Sequence, residues 1–357
     1  PTQSLPRLAV SSQAVRALDY DRDGDSDVLI TGRQVPGKYP LPARSYLLRN
    51  DKGTFTDVTA QVAPDLQNIG MVCDALPLDY DRDGDDDLIL VGEWMPPTIL
   101  TNQGSSFAAS FKHSIIQAFN NLSGWWNCVA VGDFDGDGDP DLLLGNDGLN
   151  TLYRASPEQP VQIVGKDFND DGLFDPIMGY VINGTRYPVL PRDALNQQII
   201  QFRRKFKRYK DYSEATFDDL FSEEEIKRAY QAQVSELRSC YAENRGNGQF
   251  ALRPLPMLAQ QAPIFGFVVD DFDRDGHLDA LATGNFYPNE ANMGRQDASR
   301  GLLLKGDGKG GFVTLGPDQT GFLVSGDARR SYRLRHPDRI VTVVNGGPLV
   351  VHRWKTR

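Results

Sequence analysis

Half of the 48 acidic residues in this chain of 357 residues lie in five segments of nine residues each. All five follow the pattern Asp-x-Asp/Asn-x-Asp-Gly-x-x-Asp, and they span residues 19–27, 79–87, 133–141, 167–175 and 271–279. A short loop surrounds Ca²⁺ with oxygen ligands at positions one, three and five, a turn glycine at position six and a backbone carbonyl at position seven. Here a carboxylate at position nine closes the loop, whereas an EF-hand closes with a glutamate at position twelve. The pattern therefore predicts calcium loops rather than solvated acidic turns.

Each loop has five predicted metal-binding positions, and position seven is expected to bind through its backbone carbonyl. The first three loops contribute Asp19, Asp21, Asp23, Asp25 and Asp27, then Asp79, Asp81, Asp83, Asp85 and Asp87, then Asp133, Asp135, Asp137, Asp139 and Asp141. The other two contribute Asp167, Asn169, Asp171, Leu173 and Asp175, and Asp271, Asp273, Asp275, His277 and Asp279. About five calcium ions are expected, and their ten positive charges would offset the formal net charge of −10.

The segments around the loops are typical of β-strands. Apolar residues precede each loop, as at residues 15–18, and follow it, as at residues 28–30, which predicts a strand on either side. A third strand, a glycine hairpin and a fourth strand follow at residues 45–55, 239–250 and 299–312. Four antiparallel strands repeated around a ring are the blades of a β-propeller. The intervals between loops are 60, 54, 34 and 104 residues, of which the third is short and the fourth contains an insertion.

These repeats resemble the FG-GAP, or VCBS, repeat family, whose best-known member is the integrin α-subunit propeller. The insertion and the segments 92–96 (Gly-Glu-Trp-Met-Pro) and 284–287 (Gly-Asn-Phe-Tyr) are similar to bacterial secreted proteins related to cartilage acidic protein. The domain that often follows the propeller in that group is not evident here. The resemblance implies an all-β, calcium-binding propeller that is secreted or held at the cell surface, and it is specific for fold but weak for function.

The chain is expected to form one propeller domain over residues 1–357, with six blades or, alternatively, seven. Residues 3–9 resemble residues 252–259, which precede the fifth calcium loop, so they are expected to form the fourth strand of the last blade. Residues 328–334, 339–344 and 348–354 would supply its other three strands. Building the last blade from both ends of the chain would hide the edges of the sheets.

Residues 184–238 interrupt the β-pattern and are expected to form a helical insertion between the second and third strands of blade four. Helical spacing of apolar residues predicts one helix over residues 192–206. A capping box at residues 222–225 predicts a second helix that continues to Leu237. The basic cluster at residues 203–208 has two interpretations, a solvated helix face or a patch for an acidic partner.

In an antiparallel blade the loops between strands two and three emerge on the face opposite the calcium loops. Functional residues commonly lie on loops of a rigid scaffold, and Trp, Tyr and Arg commonly anchor interfaces. This face is therefore the predicted ligand-binding surface. Its predicted residues are Glu93, Trp94, Trp125, Trp126, Asn146, Arg192, Asp193, Asn285, Tyr287, Glu290, Arg295 and Asp297. The alternative for the three tryptophans is that they fill the central channel and pack beneath the helices.

Composition and motifs narrow the function. The acidic balance argues against nucleic acid as a partner, and no apolar stretch approaches the ~20 residues of a membrane helix. The three cysteines lack metal-site spacing and are interpreted as core thiols, and H-E-x-x-H and G-x-S-x-G do not occur. We expect a secreted or cell-surface, non-catalytic protein that mediates adhesion or protein–protein interaction, for example as a subunit of a bacterial outer-membrane-associated assembly. The alternative is a glycan-binding or glycan-cleaving surface protein, in which Glu93, Asp193, Glu290 and Asp297 could supply a carboxylate pair.

Overall fold

The structure, a computed structural model, describes residues 5–103, 107–109, 117–246, 248–289, 293–334 and 338–354. It is all-β in its framework, with six antiparallel sheets. None of the helices in these ranges is long and apolar enough to cross a membrane. The three cysteines are free thiols and buried, as predicted.

The strands are numbered in chain order. They are β1 (Ser11–Leu18), β2 (Asp27–Gln34), β3 (Tyr46–Asp51), β4 (Thr54–Asp57), β5 (Met71–Leu78), β6 (Asp87–Met95), β7 (Thr98–Asn102), β8 (Phe107–Ala109), β9 (Gly124–Trp125), β10 (Cys128–Gly132), β11 (Asp141–Gly145), β12 (Val161–Lys166), β13 (Asp175–Ile182), β14 (Thr185–Pro188), β15 (Tyr230–Val234), β16 (Cys240–Asn244), β17 (Phe250–Pro254), β18 (Ile264–Asp270), β19 (Asp279–Gly284), β20 (Leu302–Gly306), β21 (Phe312–Leu315), β22 (Ala328–Arg333), β23 (Arg339–Val344) and β24 (Val350–Arg353).

The helices are short. They are α1 (Thr59–Val62), α2 (Arg192–Gln198), α3 (Phe202–Lys205), α4 (Tyr209–Ser213), α5 (Glu223–Lys227) and α6 (Pro317–Thr320), with 3₁₀ turns at Pro64–Gln67, Gln117–Phe119, Phe217–Asp219 and Met257–Gln260.

Five sheets follow one another with their first strands side by side. Their strand orders are β1-β2-β3-β4, β5-β6-β7-β8 with β9 added beside β6, β10-β11-β16-β17, β18-β19-β20-β21 and β22-β23-β24. Strand β1 lies against β5, β5 against β10, β10 against β18 and β18 against β22. The second strands of the inner sheets, β6, β11 and β19, are buried at nearly every position, because these sheets bury both faces against their neighbours. Separate hydrophobic clusters fill the spaces between successive sheets.

Glycines near the ends of the second strands allow the backbone just before a neighbouring strand of the same sheet to approach closely. A Cβ atom on Gly284 would lie 1.6 Å from the carbonyl oxygen of Pro263, and one on Gly32 would lie 2.2 Å from that of Arg44. No side chain fits such a distance, so these glycines are required by the packing of backbone on backbone.

The insertion belongs to the third sheet, not to a fourth blade as predicted. Strand β16 pairs with β11, with Leu143 opposite Tyr241, so the strands that follow the insertion complete the sheet of the third loop. Residues 146–239 therefore form one long excursion that contains a complete sheet of its own, in the order β14-β13-β12-β15. This explains the interval of 34 residues between the third and fourth loops, because the fourth loop belongs to the inserted sheet.

The second predicted helix is correct at its start and wrong at its end. Ser222 caps α5 by accepting the backbone N–H of Glu225, but the helix ends at Lys227. Residues 230–234 form β15, which pairs along the free edge of β12. Residues spaced four apart lie on one side of a helix and also on one face of a strand, so the pattern fits both structures, and the open sheet edge selects the strand.

The predicted closure of the ring is not found among the described residues. The last sheet has three strands, and residues 5–10 form no strand beside it; residues 3 and 4 of the predicted strand lie outside the described residues. The described chain thus has five successive sheets and one inserted sheet, rather than six blades in one ring.

Candidate metal centres and the opposite face

The acidic loops share one backbone conformation, set by the glycine at position six. In the first loop Gly24 has a φ of 90°, and its N–H donates to Asp19 at 3.1 Å. The N–H of Asp25 donates to Asp23 at 2.8 Å, which completes a compact turn. The same two hydrogen bonds recur in the other loops. In every loop the carboxylate at position one accepts the N–H of position six, and the carboxylate at position five accepts the N–H of position seven.

Four loops bring three carboxylates together. In each, oxygens from positions one, three and nine lie within 4.8 Å of one another. The triads are Asp19, Asp21 and Asp27; Asp79, Asp81 and Asp87; Asp133, Asp135 and Asp141; and Asp271, Asp273 and Asp279. Asp19, Asp21 and Asp79 each have a buried carboxylate oxygen without a hydrogen-bond partner. Oxygen-only ligands with unpaired buried oxygens fit a hard divalent cation such as Ca²⁺.

The ninth residue of each loop is the most buried ligand. Burial raises the pKa of Asp87 to about 7 and that of Asp141 to about 6, against the opposing effect of backbone hydrogen bonds. Burial also raises the pKa of Asp27 and of Asp279. Without a metal ion, burial disfavours the charged form of these carboxylates. A bound cation would favour the charged form and so lower their pKa values.

The ninth residue also ties its loop to the rest of the sheet. Asp87 accepts the N–H of Tyr80 within the loop and the N–H of Asn102 in the third strand, the latter at 2.7 Å. The side chain of Asn102 then donates to the carbonyl of Tyr20 in the preceding sheet at 3.0 Å. Asn244 makes the equivalent bond to Tyr80 at 3.1 Å. Loop, sheet and neighbouring sheet are therefore linked through one aspartate and one asparagine.

At position seven of the second and third loops the aspartate side chains face the preceding loop rather than the triad, whereas Asp25 of the first loop accepts the N–H of Lys52 in its own sheet at 2.9 Å. Arg22 of the first loop pairs with Asp85 of the second at 2.6 Å, and Arg82 of the second pairs with Asp139 of the third at 3.1 Å. This arrangement fits the prediction that position seven contributes only its carbonyl to a metal. It also forms a row of ion pairs along the calcium face.

The loop of the inserted sheet differs from the other four. Its third position is Asn169, whose amide donates to Asp171 at 2.9 Å and to the carbonyl of Gln198 at 3.1 Å. Only Asp167 and Asp175 remain as carboxylates at positions one, three and nine. The described part of this loop therefore lacks the triad, and a fifth calcium ion stays a prediction.

On the opposite face, several predicted ligand-binding residues are buried. Trp126 is fully enclosed, Trp94 is 7% exposed, and Asn146 and Asn285 are enclosed as well. The amide oxygen of Asn146 accepts two backbone N–H groups, and its nitrogen donates to the carbonyl of Glu236 at 2.9 Å. Asn285 makes three comparable bonds to backbone groups. These side chains hold the loops in place and offer little surface to a ligand.

The tryptophans form part of a continuous row of aromatic rings. Trp125 packs edge-on against Trp94, with centroids 5.4 Å apart, and against Tyr153 of the insertion, at 5.3 Å. Tyr39 and Tyr180 extend the row at its two ends. The alternative considered for these residues was packing in the channel beneath the helices. Trp94 and Trp125 do pack in a core, but against the inserted sheet rather than the helices, and they join that sheet to the second sheet.

The other predicted residues of this face lie in three separate places. Glu93 forms an ion pair with Arg33. Arg192 pairs with Asp193 at 2.7 Å in the inserted lobe. In the fourth sheet, the guanidinium group of Arg295 lies 4.9 Å from the ring centre of Tyr287, and Asp297 is exposed. Glu290 lies outside the described residues.

Two features of this face were not predicted. Asp147 is half-buried beside Asn146, accepts a hydrogen bond from Gln296 at 2.9 Å, and has a pKa that burial raises to about 6. A cavity of about 190 Å³ lies between the connection after β17 and the fourth sheet, lined in part by Leu258, Ala282 and Leu302. The cavity had one signal in the sequence, the apolar residues in the connection after β17. A short connection between sheets has no core of its own, so apolar residues there indicate a contact with something else.

The comparisons with known proteins support the repeat assignment. Residues 19–90 and 79–144 match the profile of the FG-GAP-like repeat, which confirms the resemblance over the first three loops. No curated protein matches the chain.

Two solved structures illustrate the remote structural likeness. One is an Agrocybe aegerita lectin, described in terms of its recognition of non-reducing terminal N-acetylglucosamine, with 17% identity, coverage of 97% of this chain and 82% of the lectin, and a TM-score of 0.34. The other is BBS1N in complex with ARL6DN, with 8% identity, coverage of 98% and 93%, and a TM-score of 0.31. Both scores mark a loose correspondence, and the fold is argued from the sheets themselves.

Proposed function

Because the chain carries FG-GAP-like repeats, we propose that it is a calcium-stabilised, non-catalytic binding protein that acts outside the cytosol. The four aspartate triads support the calcium part of this proposal. Extracellular loop sites have dissociation constants of about 10⁻⁴–10⁻³ M, so external calcium would fill them. A secreted or cell-surface location follows from that requirement.

The binding surface is proposed on the face opposite the calcium loops. The 2–3 loops and the connections between sheets emerge there, together with the whole insertion. Met257 and Leu258, in the connection that borders the cavity, are 69% and 45% exposed. Exposed apolar residues beside a cavity fit an apolar anchor from a partner better than they fit solvent.

A protein partner is favoured over a glycan. A sugar platform needs an exposed aromatic face, and none of the tryptophans in the described residues is exposed. Three of the exposed large apolar residues on the proposed face are aliphatic, Leu152 and the two residues beside the cavity. Tyr209 of the insertion is also exposed, and the guanidinium group of Arg192 lies 4.8 Å from the centre of its ring. We therefore propose protein–protein interaction, such as adhesion or membership of a cell-envelope assembly.

A pull-down in calcium-containing buffer from solubilised envelopes of the source cells tests this function. The double variant Met257→Glu/Leu258→Glu should lose a stoichiometric protein that the wild type captures. Val313→Glu is the matched control, because Val313 is 63% exposed on β21, outside this connection. Equal capture by all three proteins would show that the partner binds elsewhere, and capture of no protein would contradict the protein-binding proposal.

The glycan alternative has one supporting observation. Asp147 combines partial burial, a raised pKa and an amide neighbour in Gln296, which suits a carboxyl group that exchanges a proton or binds a hydroxyl group. Binding to a glycan panel that Asp147→Asn abolishes, with Asp297→Asn as the exposed control, would favour this alternative over a protein partner.

A further inference from the structure

One structural position beside the four aspartate triads differs in charge from sheet to sheet. In each sheet a backbone N–H of the third strand donates to the ninth aspartate of the loop, and these donors are Asn50, Asn102, Asn244 and Gly306. The residue immediately before the donor is therefore equivalent in all four sheets. These residues are Arg49, Thr101, Glu243 and Lys305.

In the fourth sheet this residue is a cation that contacts the loop directly. The ammonium group of Lys305 forms an ion pair with Asp273, a member of the triad, and lies 2.9 Å from the carboxylate of Asp275. Lys305 is only about one-third exposed, because strand β20 holds it over the loop. The fourth triad is thus neutralised in part by the protein itself.

Among the described residues, no cation forms an ion pair with a triad carboxylate in the other three sheets, although Arg49 acts on Asp21 electrostatically. Arg49 donates instead to Asp51, a residue of its own strand, at 3.0 Å. Thr101 is uncharged. Glu243 is negative, and it forms ion pairs with Arg245 and Arg253. In the described part of the structure, neither arginine forms an ion pair with the carboxylates of the third triad.

We propose that Lys305 competes with the divalent cation at the fourth loop, so that this loop binds calcium more weakly than the first three. The proposal rests on the calcium function proposed above. An ammonium group and a calcium ion on the same carboxylates repel each other, so calcium binding must displace Lys305 and lose its two ion pairs. A unit charge within about 4 Å of a divalent ion costs enough, even in a watery environment, to lower affinity by roughly tenfold or more.

The consequence is an ordered response to calcium. As the calcium concentration falls, the fourth loop would lose its ion first and close on Lys305, while the first three triads remain filled. The fourth sheet borders the proposed binding cavity through Ala282 and Leu302, so the loop that empties first belongs to a sheet that lines the binding face.

Calcium titration of the full chain, stripped of metal and followed by isothermal titration calorimetry, tests the proposal. The wild type should show tight sites and a weaker class. Lys305→Met, which keeps the length of the side chain, should move one site from the weaker class to the tight class, a gain of roughly tenfold or more. Lys305→Arg keeps the charge and should retain the wild-type pattern. Asp273→Asn in the Lys305→Met background should abolish the site that moved.

The reverse substitution provides an independent test. Thr101→Lys introduces a cation at the equivalent position of the second sheet and should move one tight site to the weaker class. Arg49→Met should change little, because Arg49 already pairs with Asp51. An unchanged titration for Lys305→Met, in a variant with wild-type circular dichroism, would overturn the proposal. Equal sites in the wild type would also overturn it while leaving the calcium function intact, whereas no calcium binding by any variant would refute the calcium function itself.

Discussion

Asp74 in the second sheet binds the guanidinium group of Arg330 in the fifth sheet at 2.6 Å, although 256 residues separate them in the chain. The same carboxylate pairs with Arg16 of the first sheet and accepts the N–H of Val129 in the third at 3.3 Å. Asp74 is fully buried. One carboxylate thus joins the first strands of four sheets, and it links the first and last sheets, which no strand pairing connects among the described residues.

Replacing Asp74 by Asn should destabilise the protein by about 3 kcal/mol. Breaking a buried ion pair costs ~3–5 kcal/mol because it leaves a buried charge without a partner. The lower end applies here, because the side chains of Arg16 and Arg330 are 29% and 20% exposed, so water can still solvate part of each charge. Urea unfolding in saturating calcium measures the change. Asp211→Asn, which removes one charge of the exposed pair with Arg208, is the control and should change stability much less. Equal effects of the two substitutions would argue against a joining role for Asp74.

Removal of calcium should lower the melting temperature by several degrees. Each triad that binds an ion only in the folded state adds to stability, by about 0.4–1.4 kcal/mol per site when millimolar calcium is one to ten times the dissociation constant. Differential scanning calorimetry in EGTA and in millimolar calcium measures the shift. Magnesium should restore little of it, because Mg²⁺ requires a small octahedral site and retains its water. Identical melting curves in calcium and in EGTA would contradict calcium binding by the triads.

The metal-free protein should become more stable as the pH falls from 7.5 to 5.5. Burial raises the pKa of Asp87 from an ordinary 3.8 to about 7 and that of Asp141 to about 6. A group with a raised pKa in the folded state contributes stability that is complete below pH 3.8 and is lost as the pH rises through the folded value.

Saturating calcium should remove this trend, because the ion must displace the bound protons and so leaves the folded and unfolded carboxylates equally deprotonated. The gap between the melting temperatures in calcium and in EGTA should therefore narrow toward pH 5.5. Asp87→Asn should weaken the pH dependence in EGTA, since it removes the group with the pKa nearest neutrality. A gap that widens as the pH falls would mean that these carboxylates are not the calcium ligands.

The sequence was sufficient for the loops, for the strands around them and for the sorting of loops between two faces. Those features depend on a nine-residue pattern and on alternation along single strands. Strands β16 and β17 follow the insertion, and local sequence does not show which sheet they complete. That choice depends on pairing between residues that are far apart in the chain. Asn244 donates to Asp141 of the third loop, and the fourth loop would have offered Asp175 in the same pattern. Only the short interval between these two loops signalled that the fourth loop stood outside the series.

Burial of the tryptophans was equally beyond local sequence. Trp126 follows Trp125 on a loop where both were equally eligible for a binding surface. Their environment is decided by the inserted sheet, whose Tyr153 covers Trp125, while Trp126 lies wholly inside the cluster between the second and third sheets. The cation on the fourth triad was hidden for a similar reason, because Lys305 lies 30 residues beyond Asp275 and reaches it only through strand pairing.

Asn102→Ala should cost about 1–3 kcal/mol and Asn50→Ala about 1 kcal/mol or less, although the two residues occupy equivalent positions. Asn102 is 1% exposed, and its amide donates across the sheet boundary to Tyr20 at 3.0 Å, so its loss removes a buried hydrogen bond between two sheets. Asn50 donates to Ser26 within its own sheet at an exposed site, where water can replace the amide. Urea unfolding of both variants at saturating calcium makes the comparison, with equal slopes as the check that the unfolded states match. A larger loss for Asn50→Ala would mean that the bond between sheets contributes little and that the loop, rather than the contact between neighbouring sheets, limits stability.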